Sequence, residues 1–85
     1  MMNWFEAREN YPRQWLLIEA IKAHSKDDWR ILDQIAVLGA FATSPEAIQN
    51  YKKLHLDNPE RELYVFHTSR ETLDIAERQR LGIRV

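Results

Sequence analysis

Glu62-Leu63-Tyr64-Val65-Phe66-His67-Thr68 is the stretch on which the architecture turns. Aromatic and branched side chains dominate it, and Pro59 and Ser69 bracket it, so it reads as a strand. Successive side chains along a strand point to opposite faces. Leu63, Val65 and His67 therefore share one face, and Tyr64, Phe66 and Thr68 share the other. Both faces are apolar at the centre, which is the pattern of an interior strand covered on two sides. A single strand cannot satisfy its own backbone, so its partners must lie elsewhere in the chain.

Immediately upstream lies the clearest helix, from about Pro45 to Asp57. Ser44 is placed to cap it, Pro45 suits the first helical position, and Glu46 complements the positive end of the dipole. Ala47, Tyr51 and Leu54, with Ile48 adjoining, form one apolar stripe, while Asn50, Lys52 and Lys53 take the wet side. Asp57-Asn58-Pro59 stops the helix.

Residues 13–41 fit two periods. Trp15, Leu17 and Ile21 alternate against Leu16, Ile18 and Ala20 as in a strand, yet Leu16, Leu17, Ala20, Ile21 and His24 also make a helical stripe. Trp29 to Phe41 repeats the ambiguity: Ile31, Ile35, Val37 and Phe41 suit a strand, and Ile31, Leu32, Ile35, Ala36 and Leu38 suit a helix. Backbone pairing decides between them. A hairpin turning through Ser25-Lys26-Asp27-Asp28 supplies the partners that strand 62–68 needs. The expected fold is therefore α+β: a two-layer β-β-α-β arrangement with one amphipathic helix on a small sheet. The alternative is a mainly helical start followed by one strand. Residues 1–85 form a single domain, with residues 1–12 as an N-terminal arm ended by Tyr11-Pro12, residues 13–68 as the core and residues 69–85 as a C-terminal extension. Thr68-Ser69-Arg70-Glu71 suits the cap of a turn or short helix through Leu73. Leu81-Gly82-Ile83-Arg84-Val85 alternates and suits either sheet-edge pairing or a frayed end.

Composition narrows the chemistry. The 85 residues carry a formal net charge of -1, and charge is balanced along the chain, so no basic surface is concentrated for phosphate backbone. Arg61, Arg70, Arg78, Arg80 and Arg84 bias the last third toward arginine, but acids are interleaved among them. There is no cysteine, which excludes disulfides, zinc–thiolate sites and thiol nucleophiles. His24, His55 and His67 show no metal-binding spacing. With only Gly39 and Gly82, the chain has no glycine-rich phosphate loop and no nucleophile elbow. The longest apolar run, Ile35 to Ala42, falls short of the roughly 20 residues that span a bilayer. No signal peptide opens the sequence, and a soluble cytoplasmic protein without membrane contact is expected.

The polar-site candidates are His67, Ser69 and Arg70, as base, nucleophile and anion binder. A strand end with a hydroxyl cap explains the same residues more simply, and no catalytic, metal or cofactor residue is assigned. Nine aromatic residues are many for so small a core. Trp15, Trp29, Tyr64 and Phe66, with Leu81 and Ile83 of the tail, are the interface candidates. The expected function is a non-enzymatic interaction or regulatory module, paired as a homodimer or with a protein partner through a sheet face or edge. Two alternatives stand beside it: a nucleic-acid-binding regulator with a helical first half, and a small enzyme using His67.

Overall fold

The computed structural model describes residues 1–76. In chain order these form α1 (Trp4–Asn10), β1 (Trp15–Lys26), β2 (Trp29–Phe41), α2 (Ser44–Asp57), β3 (Leu63–His67) and β4 (Ile75–Ala76). The fold is α+β, with an antiparallel sheet ordered β3-β1-β2-β4. Residues 15–41 are strands, so the helical start is not formed.

The β1–β2 hairpin turns through Asp27-Asp28, between the paired residues Lys26 and Trp29. Both aspartates have positive φ, 51° and 67°. A two-residue loop with two left-handed positions matches the right-handed twist of the flanking strands, and Asp tolerates that region better than most residues. Glycine tolerates it best. Asp28→Gly is expected to raise stability by roughly 0.5–1 kcal/mol, read as a higher midpoint in urea; an unchanged or lower midpoint would show that the aspartate side chain itself holds the turn.

The hairpin is not regular. Its register shifts between Leu17 and Ile18, between Ala20 and Lys22, and between Lys22 and Ala23. Leu38, Ile21 and Asp33 are the extra residues at these bulges, and each bulge bends and twists the ribbon. The Leu38 bulge splits the apolar set of β2. Val37 pairs with Ile18, whereas Phe41 pairs with Trp15 on the opposite face. Beyond the bulges the hairpin curls far enough for Arg30 to reach Glu62 with two hydrogen bonds of 2.8 Å.

The first twelve residues are more than an arm. Asn3 caps α1: its side chain accepts the Glu6 N–H at 2.8 Å, and the Glu6 carboxylate accepts the Asn3 N–H at 3.0 Å. This reciprocal cap fixes a helix of only seven residues, too short to be stable by itself. Trp4 and Ala7 bury against Leu16, Ile18 and Ile35, with Tyr64 and Phe66 packed beside them. The Trp4 indole N–H donates to the Arg70 carbonyl at 2.8 Å, and the Arg8 Nε–H to the Thr68 carbonyl at 2.9 Å. Thr68 is itself buried, and its hydroxyl accepts the Gln14 N–H.

On the other face lies α2, beside Leu17, Leu63 and Val65, with Ala47 fully buried. Thr43 takes the N-cap position expected of Ser44, and its hydroxyl donates to Glu46 rather than capping an N–H. Asn58 closes the helix by donating its backbone N–H to Leu54. The sheet therefore has a helix on each face where one was expected. This answers what covers both sides of Leu63–Thr68: α2 covers one and α1 the other.

Of the turn or short helix expected after Thr68, the turn forms, closed by the Arg70 N–H to His67 C=O bond, and the helix through Leu73 does not. Residues 75 and 76 instead form β4, paired with Arg30 and Trp29 on the outer edge of β2. Residues 81–85, the alternating tail, lie outside the described residues.

Candidate interaction edge

The two outer edges of the sheet are treated differently. Along β2 the backbone is covered by β4 and by Met2, which exchanges two hydrogen bonds with Ile35 at 3.0 and 2.7 Å. Along β3 no strand or bridge pairs the outer side among the described residues. The expectation of an interior strand thus holds for its two faces and fails for its position in the sheet, because β3 is an edge.

Which groups this edge presents follows from the register. At one end of the β1–β3 ladder the Ala20 N–H donates to Glu62, and at the other the Thr68 N–H donates to Gln14, at 2.9 and 3.0 Å. Antiparallel pairs alternate between bonded and unbonded, and the β1–β3 register is unshifted. Tyr64 and Phe66 therefore turn their N–H and C=O groups toward β1. Leu63, Val65 and His67 turn theirs outward.

Edge strands are commonly protected by a lysine, a proline or a bulge. Leu63–His67 contains none of these. Beside it, α2 and β3 enclose a shallow cleft of about 300 Å³, lined by Ile48, Tyr51, Leu63, Tyr64 and Val65. Ile48 is 42% exposed. Tyr51 is held in place by a stacked His55 ring, 5.5 Å away and 8° from parallel.

The lower end of this edge is anchored by an ion pair. Arg61 donates from Nε and Nη2 to the Glu19 carboxylate at 2.9 and 2.5 Å. The hydrogen bonds from Arg61 hold the Glu19 carboxyl below the usual glutamate range, against the opposing effect of burial. A depressed carboxyl pKa stabilises the fold above the unfolded-state pKa, and that contribution is lost as pH falls through the folded-state value. Glu19→Gln is expected to flatten this part of the acid limb in urea unfolding measured against pH. Parallel limbs for the two proteins would show that the pair carries no such linkage.

The aromatic interface candidates are largely engaged within the chain. Phe66 meets the Trp4 ring edge-on at 6.2 Å and stacks on Tyr64 at 5.8 Å. The Tyr64 hydroxyl donates to Glu62 at 2.5 Å. Trp15 packs edge-on against the His67 ring at 5.1 Å. Trp29 stays 47% exposed, beside Ile31 and Leu73 at the far end of the hairpin. Leu81 and Ile83 fall outside the described residues.

Among the polar candidates, His67 and Ser69 are brought together and the Arg70 guanidinium is not. His67 Nδ1 accepts the Ser69 N–H at 3.1 Å and lies 2.9 Å from the Ser69 hydroxyl. Arg70 turns back over the Phe66 ring, 4.9 Å from its centroid. These contacts are local and close a turn that the Arg70 N–H to His67 C=O bond also supports. Among the described residues no third group hydrogen-bonds the His67 ring to orient the His67–Ser69 pair, and no cluster of His, Asp or Glu is arranged for a metal ion. The residues that sequence reasoning passed over are Ile48 and Tyr51 as a cleft and the outward backbone of β3. The stripe on residues 45–57 was visible, but the open edge beside it was not.

Compared with known proteins, the chain matches no family model, no curated protein and no solved structure.

Proposed function

We propose that this chain is a non-enzymatic protein-interaction module that takes up an extended polypeptide strand along the outer edge of β3. The observation that carries this reading is the contrast between the two sheet edges: one is covered by Met2 and β4, and the other, uncharged and unbulged, is paired by no strand or bridge among the described residues. Strand addition draws affinity from main-chain hydrogen bonds and specificity from pockets that receive alternate side chains. Leu63, Val65 and His67 offer the first, and the Ile48–Tyr51 cleft offers the second. The favoured ligand is an extended segment with apolar side chains at alternate positions. The nucleic-acid-binding alternative needed a helical first half, which residues 15–41 do not form.

A displayed library of short random peptides, panned against the dilute chain, tests this. Enrichment of alternating apolar sequences on the wild type, lost with Val65→Pro and with Ile48→Lys, is the expected outcome. Proline at position 65 removes an outward N–H and leaves the β1 ladder intact. Enrichment that survives both substitutions, or no enrichment with any of the three proteins, would overturn it.

A further inference from the structure

Resting on the strand-addition reading above, we infer that the segment received along β3 is acidic: its residue opposite Phe66 carries a carboxylate that pairs with the Arg70 guanidinium.

The two faces of β3 sort the side chains of an added strand. Directly opposed residues of neighbouring strands place their side chains on the same face, about 5 Å apart. Ligand residues opposite Leu63 and Val65 therefore fall on the α2 face, where Ile48 and Tyr51 line the cleft. The ligand residue opposite Phe66 falls on the α1 face. There the Arg70 guanidinium lies 4.9 Å from the Phe66 ring centroid, and Arg70 is exposed. A short acidic side chain beside Phe66 is within its reach.

Arg70 has no acid of its own among the described residues. The ion pairs there are His24–Asp33, Arg30–Glu62 and Arg61–Glu19. Arg30 and Arg61, near the Leu63 end of the strand, each hold a carboxylate with two hydrogen bonds. Arg70, past the His67 end, holds none, although Glu71 is next to it in the chain. A guanidinium kept against a ring by cation–π attraction retains its N–H fork for a carboxylate.

Arg8 adds a second positive charge from α1. Its Nε–H donates to the Thr68 carbonyl, and it too is in no ion pair among the described residues. Thr68 follows Phe66 by two residues, about 7 Å along the chain. The other α1-face position is different. A ligand residue opposite Tyr64 meets Glu62, whose carboxylate accepts the Tyr64 hydroxyl. Charge therefore places the acid opposite Phe66 and keeps it from Tyr64. With apolar residues opposite Val65 and Leu63, the ligand reads acid–apolar–any–apolar from the His67 end of β3 to the Leu63 end.

Random displayed peptides selected on the full wild-type chain, followed by affinity measurements on charge variants, test this. Circular dichroism confirms that Arg70→Glu is folded, and the milder Arg70→Gln serves beside it. On the wild type, the position flanking the apolar pair should be enriched in aspartate and glutamate. A synthetic peptide of the selected sequence should bind Arg70→Gln roughly threefold and Arg70→Glu roughly tenfold more weakly, because an attraction is first removed and then reversed. Replacing the peptide's acid by lysine should restore binding to Arg70→Glu. Alternating apolar peptides with no acid at that position overturn the inference and leave strand addition standing. So does an acidic peptide that binds both variants as tightly as the wild type, or a loss that the lysine peptide fails to rescue. No peptide enriched on the wild type removes both readings.

Discussion

Replacing Trp4 with alanine is expected to cost about 3–5 kcal/mol, the range for deleting a buried large aromatic side chain. A chain of this length has a total stability of about 4–13 kcal/mol, so the loss takes much of it. Trp4 is only 8% exposed, packs on Leu16, Ile18 and Ile35, and meets Phe66 edge-on. Its indole N–H also satisfies the Arg70 carbonyl at the end of the turn after β3. Removing the side chain opens the α1 face of the sheet and releases both ends of that contact. Trp4→Phe separates the two contributions: most of the packing stays and the carbonyl loses its donor, for a cost of about 1 kcal/mol beyond the packing change. Urea unfolding followed by circular dichroism measures both variants. A cost under about 1 kcal/mol for Trp4→Ala would mean that residues 1–12 are an arm after all and that the core closes without them.

Ile18→Ala is expected to cost about 2–5 kcal/mol, for a different reason. Ile18 is fully buried in the middle of β1, between Val37 on β2 and Tyr64 on β3. It lies in a strand paired on both sides, with β2 and with β3, so a cavity there has little freedom to collapse. Ile18→Val should cost about 0.5–1.5 kcal/mol. Ile21→Ala, on the same strand, provides the contrast. Ile21 is the extra residue at a bulge and is 44% exposed, so its loss should stay within about 0.5 kcal/mol. Equal effects at positions 18 and 21 would contradict the bulged register, because a regular strand would bury residues by strict alternation.

Local signals made the hairpin, α2 and β3 legible in the sequence. Asp27-Asp28 marked the turn, Thr43-Ser44-Pro45-Glu46 marked the helix start within one residue, and a lone strand at 62–68 required the strands before it. The bulges were not legible. Ile21 and Asp33 carry no glycine or proline beside them to mark a break in period two; Gly39 beside Leu38 was such a mark and was passed over, so Phe41 was grouped with Val37 although the two face opposite sides. The α1 helix had a signal that was passed over: Asn3-Trp4-Phe5-Glu6 has the spacing of a reciprocal cap. Seven residues are too few for a helical period to show, and Pro12 drew the boundary instead.

The candidate site was half legible. Sheet-edge association was among the expectations, but the aromatics chosen as anchors are mostly engaged by α1 and β3. An apolar pattern on both faces reports what lies above and below a strand and is silent about what lies beside it. That is why the open side of β3 and its cleft with α2 emerge only from the register.

Amide hydrogen exchange on the dilute full chain, alone and then with a peptide enriched on the β3 edge, tests the central claim most directly. Tyr64 and Phe66 face β1 and should be protected in both states. Leu63, Val65 and His67 should exchange rapidly in the chain alone and become protected when the peptide is added. A Val65 amide that is already protected in the chain alone, or that stays unprotected with saturating peptide, would contradict the account.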